Sequence, residues 1–214
     1  MAEISYPRGS SAALTPHFAR REFDCPCGCN RTRHDPALSA GLETLRTTIG
    51  TSICVTSGYR CPAHNAAVGG AAASRHKTGQ AADITCALNP VATGILASQS
   101  FAGAGIYWDG NTAFVHVDTR PRTTTWLRSV AGEPYRYTTK DGFVLPTGRR
   151  GSTGAANKAA IRMLQRLLGI APDGIFGAKT ETALKAAQVR CGIASDAICG
   201  PQTWCAVSGA SKYL

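Results

Sequence analysis

The chain has 214 residues, 43% hydrophobic and 17% charged, a composition that excludes disorder of the whole chain and leaves room for one large or two modest domains. A formal net charge of +10 favours an anionic partner: nucleic acid, an anionic membrane surface or an anionic cell wall. The basic residues sit in small groups (Arg20-Arg21, Arg31 and Arg33, Arg149-Arg150) and form no dense run, so no nucleic-acid partner is expected. No apolar stretch is long enough to span a bilayer, so no membrane insertion is expected, and the chain reads as a monomer.

The N-terminus, "MAEISYPRGSSAALTPHFARREF", has no basic start followed by an apolar run, so it predicts a soluble species made in the cytoplasm. "CPCGC" at 25–29 is the densest part of a nine-cysteine count. It reads either as reduced core thiols or as a structural metal site at Cys25, Cys27 and Cys29, with His34 as a further ligand. Leu38, Leu42, Leu45 and Ile49 then mark one face of a helix that ends at Gly50. "SICVTSGYR" at 52–60 predicts a buried strand that runs through a glycine turn to Arg60.

"SRHKTGQAADI" at 74–84 places His76 and Asp83 on the way into another strand. In "GAGIYWDGNTAFVHVDTR" at 103–120, Asp109-Gly110-Asn111 joins two strands, and the period of two puts His116 and Asp118 on one face. A catalytic zinc takes three His or carboxylate ligands and leaves a fourth position open, and His76, Asp83 and His116 are such a set. Taken singly, the same residues are equally consistent with hydrogen-bonded core histidines. "RPRTTTW" at 120–126 reads as a solvated loop with an anchoring Trp126.

"LPTGRRGSTGAANK" at 145–158 has linker composition. Beyond it, "QRLLGIAPDGIFGAKT" (165–180) and "QVRCGIASDAICGPQT" (188–203) align at Gln, Gly-Ile, Asp, Ile, Gly and Thr, predicting a small bundle of three helices made from two similar units. The doubled D-G-I-F-G-x-x-T pattern with "GPQTW" resembles the peptidoglycan-binding domain type 1 of cell-wall hydrolases. Ala197 and Cys199 depart from that pattern.

"SGYRCPAHNAAVGGAAASRHKTGQAADI" with "FVHVDTR" resembles the zinc D-alanyl-D-alanine carboxypeptidase family of peptidoglycan peptidases, whose wider group includes the hedgehog signalling domain. The resemblance implies an α+β fold, a small antiparallel sheet with helices carrying a zinc site, over 1–144, a linker at 145–157 and a wall-binding domain at 158–214. It implies zinc ligands His76, Asp83 and His116, a carboxylate-holding Arg60 and a substrate-contacting Ser74. Many relatives carry the acid or base three residues before the last histidine, and that position here is Ala113. Asp118 is therefore expected as the general base, with Asp109 in reserve; in a second alignment Asp118 would be the third ligand. The expected reaction is hydrolysis of a peptide bond in the peptidoglycan stem or cross-bridge. The expected role is that of an endolysin, with anionic wall polymers as a further partner. L-Ala-D-Glu endopeptidase activity and an inactive wall binder are the alternatives.

Overall fold

The computed structural model describes residues 4–5, 9–138 and 145–214. A two-stranded ribbon, β1 (Ile4–Ser5) with β2 (Arg31–Thr32), precedes helix α1 (Pro36–Ile49). Asp35 caps α1 through a bond from the Ala37 amide, Pro36 opens it, and Gly50 at φ 70° closes it. Leu38, Leu42, Leu45 and Ile49 are all buried, as their spacing predicts.

The sheet has six strands in the order β3 (Ile53–Ser57), β4 (Ala81–Cys86), β6 (Ala113–Asp118), β5 (Gly103–Trp108), β7 (Thr124–Arg128), β8 (Arg136–Thr138). All neighbours are antiparallel except β5 with β7, so the fold is α+β with a mostly antiparallel sheet. Strand β3 lies at an edge, so of its residues only Ile53 is buried and the expected buried strand is a half-exposed one. Short helix α2 (Pro62–Ala67) follows it, and helix α3 (Pro90–Ser100) covers the core face. Val115 and Val117 of β6 point to that core with Ile84, Ile95, Ile106 and Leu127, and the opposite face is left to the polar residues.

The C-terminal helices are α4 (Ala155–Leu167), α5 (Ala178–Arg190) and α6 (Pro201–Ser208). Each repeat is organised by a buried glutamine. Gln165 Nε2, with two hydrogens to give, lies within hydrogen-bonding distance of Asp173 Oδ1, the Ile175 carbonyl and Thr180 Oγ, and its Oε1 accepts from the Gly174 amide; Gln188 repeats this with Asp196, Ile198, Thr203 and Ala197.

The stretch expected as a free linker is fastened. Leu145 is buried, the Gly148 and Cys199 backbones bond reciprocally, Trp204 Nε1 donates to the Pro146 carbonyl, and α4 begins at Ala155. The bundle also docks on the sheet domain: Asn89 Nδ2 donates to the Ser208 carbonyl and Arg166 Nη2 to the Ser129 carbonyl. Apolar burial at α4 and α6 outweighs the polar composition that suggested a tether. No helix among the described residues is long and apolar enough to cross a membrane.

Candidate metal centre

Three elements of different kinds converge on one point. A single 3-10 turn, Arg75–Thr78, carries His76 and closes on Gly79 at φ 71°, where a side chain would run into the Arg33 backbone. Asp83 sits in β4, and the β4–β6 register places it directly opposite His116. All three residues are buried.

The hydrogen-bond partners behind the imidazoles fix which nitrogens face inward. His76 Nδ1 lies 2.7 Å from the Gly58 carbonyl, which can only accept, so Nδ1 carries the proton and Nε2 presents a lone pair. His116 Nε2 donates to Asp118 Oδ2 at 3.1 Å, which leaves Nδ1 facing the site. His76 Nε2, His116 Nδ1 and Asp83 Oδ1 then stand 3.1, 2.9 and 3.2 Å apart. Three acceptor atoms this close repel one another unless a proton or cation lies among them. Tetrahedral zinc with bonds of 2.0–2.1 Å has ligand edges of about 3.3–3.4 Å, so the set fits a metal ion. Burial works against ionising Asp83, but hydrogen bonds and charge from His116 and His76 outweigh it and hold the carboxyl well below the usual range, in the form a metal requires. Burial also opposes charge on His116, yet Asp118 and Asp83 raise its pKa, so protons compete with metal there.

Residues 16–118 match the family described as Peptidase M15, and residues 153–207 match the peptidoglycan-binding domain type 1. The chain carries a peptidase M15 domain followed by a peptidoglycan-binding domain. The two matches together support a metallopeptidase directed at peptidoglycan. No curated protein matches it.

Within the M15 domain, the structure corrects the role expected of Asp118. Its carboxylate is fully buried behind His116, on the side away from the three ligand atoms. Arg120 grips both oxygens, Nε to Oδ1 at 2.7 Å and Nη2 to Oδ2 at 2.5 Å. Burial disfavours the charge, but the bonds from Arg120 and His116 keep the group ionised. Such a carboxylate orients a ligand and sets its tautomer; it can reach neither substrate nor the ligand side of the metal, which excludes it as general base and as third ligand. Asp109 lies at the β5–β6 turn, accepting from the Asn111 and Thr112 amides, and does not line the site. Ala113 shares its strand face with Val115 and Val117, so in this register a carboxylate there would point away from His116.

Arg60 and Ser74 both line a cleft of about 720 Å³ that opens over the three ligand residues. Arg60 donates from Nε to Ser57 Oγ at 2.9 Å and from Nη2 to Asp83 Oδ2, so it also steadies the ligand carboxylate through its second oxygen. The far wall is aromatic. Trp126 packs against His116 with ring centroids 5.2 Å apart, donates Nε1 to Tyr107 Oη at 2.9 Å, and lies under the Arg120 guanidinium. Trp126 is thus a wall of the site and not a loop anchor. Beneath these side chains a Cβ at Gly103 would overlap the Asp118 carboxylate, and one at Gly105 the Trp126 ring. Tyr107, Phe114, Tyr135 and Tyr137 complete the wall, and Asp83 is the one carboxylate among the described lining residues. Sequence reasoning missed this wall and missed His64, which lines the cleft from α2. The period of two in "GAGIYW" was a signal for Tyr107, which it puts on the face opposite the core residue Ile106; nothing local marked His64.

Proposed function

We propose that the chain is a zinc-dependent peptidoglycan hydrolase that cleaves a peptide bond of the stem or cross-bridge as a D-Ala-D-Ala carboxypeptidase or endopeptidase. The observation that carries this reading is the triangle of inward-facing acceptor atoms on His76, Asp83 and His116 at the floor of a cleft rich in arginine and aromatic rings. When bound there, zinc would supply a Lewis acid that activates water and polarises the scissile amide. The remaining work falls to the chain. Asp118 and Gly58 hold the two imidazoles in the ligating tautomer, and Arg60 holds Asp83. The guanidinium groups of Arg60, Arg75 and Arg128 give the cleft the charge to receive a peptide carboxylate, and Ser74 stands at the rim where a substrate backbone would pass. His64 is the one imidazole among the described lining residues outside the ligand set, and we assign it the proton transfer that Asp118 cannot perform. The bundle would hold the enzyme on its polymer, and the net charge of +10 would favour anionic wall polymers. The endolysin role, with release from the cytoplasm onto the wall, belongs to the same proposal.

The test is digestion of purified peptidoglycan by metal-loaded and chelator-stripped protein, with fragments read by mass spectrometry. Metal-dependent loss of terminal alanine, or opening of D,D cross-links, is expected. His64→Gln should keep its metal while turnover falls by about 10²-fold or more. Release of whole stem peptides would replace the assignment with an L-Ala-D-Glu endopeptidase. No release from several wall types, with metal present, would make the domain a binder.

A further inference from the structure

Four cysteines outside the ligand triad meet in space. Cys25, Cys27 and Cys29 come from the loop before β2, and Cys61 from the N-terminus of α2, 32 residues further on. One sulfur from each lies within 4.8 Å of every other, with Cys25 Sγ 3.3 Å from Cys27 Sγ and Cys27 Sγ 3.6 Å from Cys61 Sγ. A zinc ion with four Zn–S bonds of 2.3 Å has sulfur–sulfur edges of about 3.8 Å, inside that range. His34, the ligand the sequence suggested, is not in the group. Its Nε2 bonds Ser39 Oγ at 3.0 Å and its ring packs on Phe23, so Cys61 takes the fourth place.

The loop is built to aim sulfur inward. In a strand the period of two would set C-x-C-x-C on one face but space successive cysteines about 7 Å apart, too far to share an ion; Gly28 at φ 79° and Asn30 at φ 53° turn the chain left-handed after Cys27 and Cys29 and wind it around a centre. Backbone amides point at the sulfurs: Cys61 N donates to Cys25 Sγ and His64 N to Cys61 Sγ, both at 3.4 Å. Amide-to-sulfur bonds of this kind stabilise thiolates in a metal's outer shell.

We propose that Cys25, Cys27, Cys29 and Cys61 form a second, structural zinc site that clasps the N-terminal loop to the base of the substrate cleft. On binding, four thiols release four protons to solvent and become four thiolates around one Zn²⁺; no electron is transferred. The site is closed, with no position for water or substrate, and its place in the fold gives it a purpose. Pro26, between two of the cysteines, lines the cleft; Cys61 caps the helix that carries His64; and Arg60, one residue earlier, holds Asp83.

The experiment is metal analysis of the full chain purified under reducing conditions and loaded with zinc alone. Two zinc ions per chain are expected, one lost in Cys27→Ser and the other in His76→Ala. Cys27 is exposed, so its replacement spares the core. On the unmodified protein, cobalt substitution should give intense sulfur-to-cobalt absorption, and a mercurial added until the accessible thiols are saturated should release one zinc equivalent while the other stays bound. A single zinc per chain that Cys27→Ser retains, no sulfur-to-cobalt band, or a native mass showing these cysteines oxidised in pairs would each overturn the proposal.

Discussion

The imidazole of His116 is governed from behind. Asp118, clamped by Arg120, accepts from Nε2 and leaves Nδ1 to face His76 and Asp83. Asp118→Asn can offer Nε2 an amide oxygen of no charge or, if flipped, a donor that reverses the tautomer. We expect it to weaken metal affinity by about 10–100-fold, with activity recovering at high zinc. Competition with a chelator of known affinity measures it. A general base would instead have left metal affinity unchanged while turnover collapsed, so the two roles separate cleanly. A second residue-scale consequence lies in the C-terminal repeat. Ala197 occupies the turn position of Gly174 and shares its left-handed backbone, φ 61° against 78°. A Cβ in that region costs about 1 kcal/mol, so Ala197→Gly should raise unfolding stability by about that much, read from the midpoint of urea denaturation.

At the scale of elements, the α1 entrance carries a pH response. His34, just before α1, is half-buried beside Phe23, and desolvation pushes its pKa down from 6.5 to about 4, Asp35 partly opposing this and Arg20 adding to it. The folded state therefore binds a proton less readily than the unfolded chain. Above pH 6.5 neither form is protonated and His34 contributes no pH dependence; from 6.5 down to 4 the unfolded chain gains a proton first and stability falls. Below about 4 the contribution levels off. In His34→Phe the decline across that window should be shallower than in the parent, measured by thermal unfolding at fixed ionic strength. The elements themselves were legible in sequence wherever a period or a cap was present: the Leu38–Ile49 face, the β5–β6 hairpin and the two repeats all fold as their patterns predict. The three candidate ligands were legible as a set only through the family resemblance, because their types and spacing alone fit hydrogen-bonded core residues as well. What escaped was cross-chain. That Asp118 lies behind His116 follows from Arg120 closing over it and from the absence of a Cβ at Gly103. That Cys61 joins the CPCGC loop follows from how α2 returns to the N-terminus, and no local pattern encodes either.

For the whole molecule, the linker composition suggested a wall-binding domain joined to the peptidase domain by a tether, an arrangement that raises local substrate concentration. The packing gives the bundle a second task. Helix α4 lies against β7 and β8, Arg166 Nη2 donates to the Ser129 carbonyl at 3.0 Å, and Arg162 pairs with Glu133 at 3.8 Å. These contacts brace the turn between β7 and β8, and Tyr135 at its end and Tyr137 in β8 form a wall of the cleft. The wall-binding module thus buttresses the substrate site as well as delivering it. Tethering alone predicts that damage to this contact leaves cleavage of a small soluble stem peptide untouched, because such a peptide needs no anchoring. Buttressing predicts that Arg166→Met, which keeps the apolar stem and removes the donor, raises KM for that peptide several-fold, while sedimentation of the protein with insoluble wall stays at the parent level. Steady-state kinetics on the soluble peptide beside a wall pull-down decide between them, and an unchanged KM would return the bundle to the role of anchor alone.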